Sequence, residues 1–319
     1  MRLIDAEATR AALPFSRLIP ALREMFVAGC EVPLRHVHVL QPGGGAAPLT
    51  SLLMPAWLFG PDGNGRYGVK IVNIASGNAA RGLPGLHASY LLHDAATGAP
   101  LALIDGGQIT ARRTAAASAL AASFLARTDA RHLLVVGAGR VAALLPAAYC
   151  EVRAIERVSV WARQPAAAEA LAREWREQGI DAEAATDLAA AAAQADIVSC
   201  ATLATAPLVQ GRWLRPGSHL DLIGGFTPAM READDDCFAG ASLFIDTDEA
   251  LAKSGDLLGP MSRGVLSAAD VQARLHELCR GLHPGRRSED ERSVFKSVGS
   301  ALEDLAAAML AFDATTNED

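Results

Sequence analysis

The chain has 319 residues, enough for two domains, and half of them are hydrophobic, so a sizeable core is available. Its net charge of −7 excludes a basic nucleic-acid face and a polybasic membrane patch. The five cysteines (Cys30, Cys150, Cys200, Cys237 and Cys279) contain no C-x-x-C pair, Asp5 and Glu7 stand where a secretory signal has its apolar centre, and Arg140 and Pro146 interrupt the best candidate for a membrane span. A cytoplasmic protein that binds neither membrane nor nucleic acid is expected.

Residues 5–28 read as a helical opening, with Ile19, Leu22, Met25 and Phe26 close to helical spacing. Arg35–Leu40 alternates like a strand through Val37 and Val39, and Pro42-Gly43-Gly44-Gly45 is a predicted turn. Leu49–Phe59 is a second strand. Pro61-Asp62-Gly63-Asn64-Gly65 follows, whose Asp-Gly and Asn-Gly pairs tolerate the positive φ of a hairpin. Gly68–Ala75, His87–His93 and Leu101–Ile104 are further strands, the last preceded by a turn at Gly98. The N-terminal third is therefore expected to form a sheet of hairpins with an N-terminal helix. Lys70 in its alternating strand also fits a solvated edge lysine. His36 and His38 share a strand face, but no third ligand stands at a suitable spacing, so no metal is expected.

Gln108–Arg127 is Ala-rich and helical, a bridge to a second domain. There His132-Leu133-Leu134-Val135-Val136 reads as an apolar strand, Gly137-Ala138-Gly139 as a tight turn, and Arg140, Val141 and Ala142 as the start of a helix reaching about residue 150. This is the form of a dinucleotide-binding turn. Gly137 allows the bend, Gly139 lets backbone approach a pyrophosphate, and Ala142 is small enough for helix to pack on strand. An ordinary strand–helix corner is the alternative. The strand Arg157–Trp161, helix 165–178, an Ala-rich helix opened by Thr186-Asp187, and the strands Ile197–Ala201, His219–Ile223 and Leu243–Asp246 continue the alternation. Such alternation implies a parallel sheet with helices on both faces. Residues 281–292 read as a polar loop, Ser293–Phe312 as a final amphipathic helix returning to the first domain, and Ala314–Asp319 as a frayed end.

The strand Arg157–Trp161 runs into Ala162, Arg163 and Gln164. An acidic residue at this place would bond an adenine ribose and select NAD; an arginine suits a 2′-phosphate, so NADP is expected, with NADPH preferred over NADH. Arg163 also fits a solvated surface residue. Trp161, Gln164, Thr202 and Gly225 join the expected cofactor contacts.

Taken together, Gly68-Val69-Lys70-Ile71-Val72-Asn73, Gly77-Asn78, Gly82-Leu83-Pro84, Ala111-Arg112-Arg113-Thr114-Ala115-Ala116, Gly137-Ala138-Gly139 and Val294-Phe295-Lys296-Ser297-Val298-Gly299 resemble the ornithine cyclodeaminase/mu-crystallin family, in order over nearly the whole chain. The resemblance implies an α/β fold: a Rossmann-type parallel-sheet domain, residues 113–294, and a split α+β substrate-binding domain, residues 1–112 with 295–319, that forms a homodimer through its sheet. It also implies a small imino- or amino-acid substrate, with Arg35, Lys70 and Arg113 around the substrate carboxylate, Thr114 near the cofactor, and Ser297-Val298-Gly299 as a backbone contact to the nicotinamide amide. A bidentate arginine with a lysine is a sound carboxylate clamp.

One departure from the cyclodeaminase pattern bears on the reaction. Cyclodeaminases carry an aspartate after a glycine pair near a late strand; here Gly224-Gly225 is followed by Phe226. Phenylalanine neither accepts a proton nor holds an ammonium by a charged hydrogen bond. The run Gly225-Phe226-Thr227-Pro228-Ala229-Met230-Arg231-Glu232 instead resembles the Δ1-pyrroline-2-carboxylate (ketimine) reductase branch. The expected reaction is hydride transfer from NAD(P)H to a cyclic ketimine, with Phe226 as an apolar wall and Thr50, or Ser51, with a water as proton donor. A cyclodeaminase, an alanine-type dehydrogenase and a non-catalytic, crystallin-like NADP-binding protein are the alternatives.

Overall fold

Pro14 divides the opening helix in two, because a residue before proline is driven out of the helical region. In the computed structural model of the protein, which describes residues 1–41, 43 and 47–316, strand β1 (Arg2–Ile4) leads into α1 (Ala6–Ala12) and α2 (Phe15–Ala28). The Asp5 carboxylate caps α1 by accepting the Ala8 N–H at 2.9 Å. Helix α2 buries Leu18, Ile19, Leu22, Met25 and Phe26 on one face. The predicted turn at Pro42-Gly43-Gly44-Gly45 and the end of the tail at Asn317–Asp319 lie outside the described residues, Gly43 apart.

The chain forms two compact units, Met1–Arg113 with Ser300–Asp319, and Thr114–Gly299. In the first, β2 (His36–Leu40), β3 (Leu49–Phe59), β4 (Gly65–Ala75), β5 (Leu86–Asp94) and β6 (Pro100–Asp105) pair antiparallel in sequence, and β1 adds parallel to β6. Strand β4 thus lies inside the order β1-β6-β5-β4-β3-β2, which rules out an edge position for Lys70. Edge strand β2 is exposed along its whole length. The unit boundary falls within α3 (Gly106–Leu125), between Arg113 and Thr114.

The second unit carries an eight-stranded, all-parallel sheet. Its elements are β7 (His132–Val136), α4 (Leu145–Cys150), β8 (Arg157–Trp161), α5 (Pro165–Glu177), β9 (Ala182–Ala184), α6 (Leu188–Gln194), β10 (Ile197–Cys200), β11 (His219–Leu222), β12 (Ser242–Ile245), α7 (Glu249–Lys253), α8 (Gly255–Ser262), β13 (Val271–Arg274), α9 (Leu275–Cys279) and β14 (Ser293–Lys296). The order β13-β12-β14-β11-β10-β7-β8-β9 reverses direction at β7, the place where such sheets bind ligands.

Two expectations need correction. Ser293–Phe312 is not one helix: Ser293–Lys296 is β14, inserted between β11 and β12, and the helix α10 spans Ala301–Thr316. All four β14 residues are buried, so tertiary pairing, not amphipathic periodicity, decides their conformation. Nor is α10 amphipathic over its first half, since every residue from Ala301 to Ala308 is buried, where the helix packs on α2, β3 and β4. The helix expected from residue 140 begins instead as a turn, continues as a 3-10 turn at Ala142–Leu144, and becomes α-helical only at Leu145. Pro146, which lacks an N–H, sits in the first turn of α4.

Candidate active site

The glycine turn after β7 has the shape its sequence demands. Gly137 adopts φ +122° and donates its N–H to the Trp161 carbonyl at 2.8 Å. A Cβ there would stand 2.6 Å from the Ala201 carbonyl oxygen, so only glycine permits this approach of β7 to the chain leaving β10. Above Gly139, by contrast, a Cβ would meet nothing within 4 Å. Ala138, Gly139 and Arg140 are exposed, Val141 is half-buried and Ala142 fully buried. The open space over Gly139 beside a tightly packed Gly137 fits a pyrophosphate cradle. Helix α4, six residues long, contributes little macrodipole. Arg163 and Gln164 are exposed at the end of β8, and Trp161 is half-buried.

From Gly137 the same layer runs through Thr202 to the Gly224-Gly225 turn. Thr202 Cγ2 lies 3.3 Å from a Cβ built on Gly137, and the Thr202 carbonyl lies 2.2 Å from one built on Gly224. Beneath this turn are three buried ionisable residues not anticipated from sequence. Glu232 Oε1 accepts the Thr202 N–H at 2.7 Å and its hydroxyl at 2.8 Å. Asp256 Oδ1 accepts the Glu232 N–H at 2.7 Å, and Lys296 Nζ lies 3.1 Å from Asp256 Oδ2 while donating to the Gly224 carbonyl. Burial pushes the Glu232 carboxyl up to about 8, against the pull of Lys296. Gly225 takes φ +57°, and Phe226 emerges from the turn 38% exposed.

The Ser297-Val298-Gly299 segment is also held from within. Asp246 Oδ2 accepts the Val298 and Gly299 N–H groups, each at 2.7 Å. Ser297 N–H donates to the Leu222 carbonyl at 3.2 Å, so all three N–H groups of the segment are engaged within the chain, and a backbone contact to a nicotinamide amide would fall to its carbonyls. The signal for Asp246 was a carboxylate closing an apolar strand, Leu243-Phe244-Ile245.

In the first unit, Lys70 and Arg113 meet on a single oxygen. Lys70 Nζ lies 2.7 Å and Arg113 Nε 3.0 Å from Asp304 Oδ1, and Arg113 Nη1 lies 2.7 Å from Glu303 Oε2. Lys70 is 1% and Arg113 7% exposed. Lys70 faces the covered side of the sheet, opposite Met54 on β3 and Tyr90 on β5. A Cβ on Gly68 would fall 2.2 Å from the Tyr90 hydroxyl oxygen, so glycine there makes room for the ring. Burial lowers the Lys70 pKa to about 8, with Asp304 resisting. Burial also opposes the charge on Arg113, but Asp304 and Glu303 outweigh it and hold its pKa above the ordinary value. Glu303 and Asp304 escaped sequence reading; two adjacent acids in an otherwise apolar helix were the available signal.

Arg35, half-buried, immediately precedes β2, and Thr114, half-buried, follows Arg113 on α3. Thr50 pairs with Val39 and Ile74 and shares the face of Met54, but four residues of strand, about 13 Å, separate the two. Ser51 points to the opposite face from Lys70 and is excluded as its partner. Arg112 donates to the Leu13 carbonyl at 2.7 Å and stacks over the Phe15 ring.

The chain is 45% identical over 280 residues to the Δ1-pyrroline-2-carboxylate reductase of Paracoccus denitrificans, covering 87% of this chain and 86% of that protein. It is similar, with a TM-score of 0.92 and 34% identity over 100% of this chain and 98% of the other, to the structure of Thermococcus litoralis Δ1-pyrroline-2-carboxylate reductase in complex with NADH and L-proline. An archaeal alanine dehydrogenase dimer with bound NAD aligns with a TM-score of 0.89 and 27% identity, over 100% of this chain and 97% of that one. The model of the ornithine cyclodeaminase/mu-crystallin family matches residues 50–319, and the chain belongs to that family.

Proposed function

We propose that this protein reduces a cyclic ketimine carboxylate, Δ1-pyrroline-2-carboxylate or its six-membered homologue Δ1-piperideine-2-carboxylate, to L-proline or L-pipecolate with NAD(P)H. The observation that carries the reading is Phe226: an apolar, part-exposed side chain leaves the Gly224-Gly225 turn, at the position where resemblance to the cyclodeaminases implies an aspartate. The extent of identity to a Δ1-pyrroline-2-carboxylate reductase supports it.

The bound nicotinamide supplies the hydride that reaches the imine carbon. The chain's own residues bind and orient. Gly137, Ala138, Gly139, Arg140, Val141 and Ala142 form the cradle for the dinucleotide, with Trp161, Arg163, Gln164, Thr202, Gly225, Thr114 and Ser297-Val298-Gly299 around it. Lys70 and Arg113 face the substrate carboxylate. Two cations and two carboxylates meet in the Lys70–Arg113–Glu303–Asp304 group, and in this reading Arg35 joins Lys70 and Arg113 around the incoming carboxylate. Phe226 walls the ring, and holding an already electrophilic iminium in line supplies much of the rate. Thr50, through water, donates to the nitrogen.

Arg163 gives NADPH the advantage over NADH, because a guanidinium pairs with a 2′-phosphate. The protein acts as a homodimer built on the six-stranded sheet, whose edge strand β2 exposes Val37, Val39 and Leu40. The test is NADPH and NADH oxidation with both cyclic imines. Turnover of the imines supports the reading; no turnover, with ammonia released from ornithine, overturns it.

A further inference from the structure

We propose that Asp304 is a positioning residue for the imine reduction: through one shared oxygen it fixes the Lys70 ammonium against the Arg113 guanidinium and keeps Lys70 charged. This rests on the reading above that Lys70 and Arg113 meet the substrate carboxylate.

The geometry is specific. Asp304 Oδ1 takes Lys70 Nζ at 2.7 Å and Arg113 Nε at 3.0 Å, while Oδ2 is buried and has no hydrogen-bond partner. Asp304 and Lys70 are both essentially inaccessible. The groups packed around the ammonium are Tyr90 on β5, Arg113 on α3, Glu303 and Asp304 on α10, and apolar Met54 on β3. Arg113 repels the charge on Lys70 and burial penalises it, while Glu303 attracts it less strongly than Asp304 does. Asp304 is therefore the principal group keeping a buried ammonium protonated at neutral pH. Glu303 touches only Arg113 among the two cations, so it anchors the guanidinium without directly holding the ammonium. A neutral Lys70 would offer a substrate carboxylate a dipole in place of a charge, and Arg113 without Asp304 would lose the bond that sets its Nε direction.

The chain has three lysines, Lys70, Lys253 and Lys296, so the ε-carbon signals of a lysine-labelled sample are readily assigned by substitution. The experiment combines that titration with pH profiles of kcat/KM for wild type, Asp304→Asn, Asp304→Glu and Glu303→Gln, using pyrroline-2-carboxylate and NADPH. In wild type, Lys70 titrates near 8 and the basic limb of kcat/KM follows it. In Asp304→Asn both move down by about one pH unit or more, KM for the imine rises more than kcat falls, and NADPH affinity stays as in wild type. Asp304→Glu restores the limb, and Glu303→Gln shifts it less than Asp304→Asn. A folded Asp304→Asn with an unshifted Lys70 titration and profile overturns the proposal. Should Asp304→Asn fail to fold, an Asp304→Glu variant whose Lys70 titration and profile are displaced downward by about one pH unit or more, as loss of the charge predicts, overturns it equally. Wild type inert toward cyclic imines sinks the reading of the reaction instead, and the Lys70 titration in the variants still decides what Asp304 does.

Discussion

Lys70 and Asp304, 234 residues apart in sequence, form an ion pair of 2.7 Å in which neither side chain is more than 1% exposed. A pair so placed is not a general source of stability, but removing one partner strands the other. Lys70→Met removes one of the two cations that meet the buried Asp304 carboxylate. We expect a loss of about 3 kcal/mol in urea unfolding, and imine reduction lost even at temperatures where the variant stays folded. Unfolding at the wild-type midpoint would contradict this.

Gly137 holds φ +122° with no room for a methyl group beside the Ala201 carbonyl. Gly137→Ala should cost about 1–3 kcal/mol in backbone strain and weaken nucleotide binding as the turn shifts. Titrating NADPH fluorescence checks the second effect and thermal unfolding the first. Gly139→Ala, with open space above it, should leave stability unchanged and impair only nucleotide binding.

Arg163 is exposed at the end of β8. Replacing it with aspartate should raise KM for NADPH about ten- to hundredfold, the worth of one charge-assisted hydrogen bond, and leave NADH usage equal or improved. Equal losses with both nucleotides would show that Arg163 does not read the 2′-phosphate.

Phe226 is part-exposed and lies past the tightly packed Gly224-Gly225 turn. Phe226→Asp should change stability by less than about 1 kcal/mol while lowering kcat/KM for the cyclic imine. Ammonia release from ornithine by this variant, measured beside wild type, tests whether this side chain separates the two chemistries. Retention of full imine activity would remove Phe226 from the site.

Glu232 and Asp221 contribute to pH dependence. Burial raises Glu232 from 4.5 to about 8 and Asp221 from 3.8 to about 6, the latter despite hydrogen bonds from Ser118, Tyr149 and Ser199. The folded state thus holds these protons at pH values where the unfolded chain has released them. Their contribution is greatest at acidic pH and is lost as pH rises, for Asp221 between about 4 and 6 and for Glu232 between about 4.5 and 8. Glu232→Gln keeps an acceptor for Thr202 and removes the second slope. Urea midpoints from pH 5 to 8 should flatten in the variant, which should equal or exceed wild type at pH 8.

Much of the fold was legible where it is local. The Asn-Gly and Asp-Gly turns delimit hairpin strands, and Leu49–Phe59 and His132–Val136 emerge with the expected bounds. The glycine turn announces itself because backbone geometry restricts which residues can make it. Ser293–Lys296 was misread because four residues carry no periodicity that distinguishes a buried strand from a helix, and its place between β11 and β12 depends on partners elsewhere in the chain.

The amino-acid sequence by itself determined the family, the two-part α/β organisation and the glycine geometry of the nucleotide turn, since these rest on motifs and short-range backbone preference. Only the tertiary structure decided that Lys70 is interior and shared with Arg113 on Asp304, that Asp246 occupies the Val298 and Gly299 donors, and that Ser51 turns away. The reason is physical: a charged side chain's state depends on desolvation and on partners brought from distant segments, and neither quantity is written in its immediate neighbours.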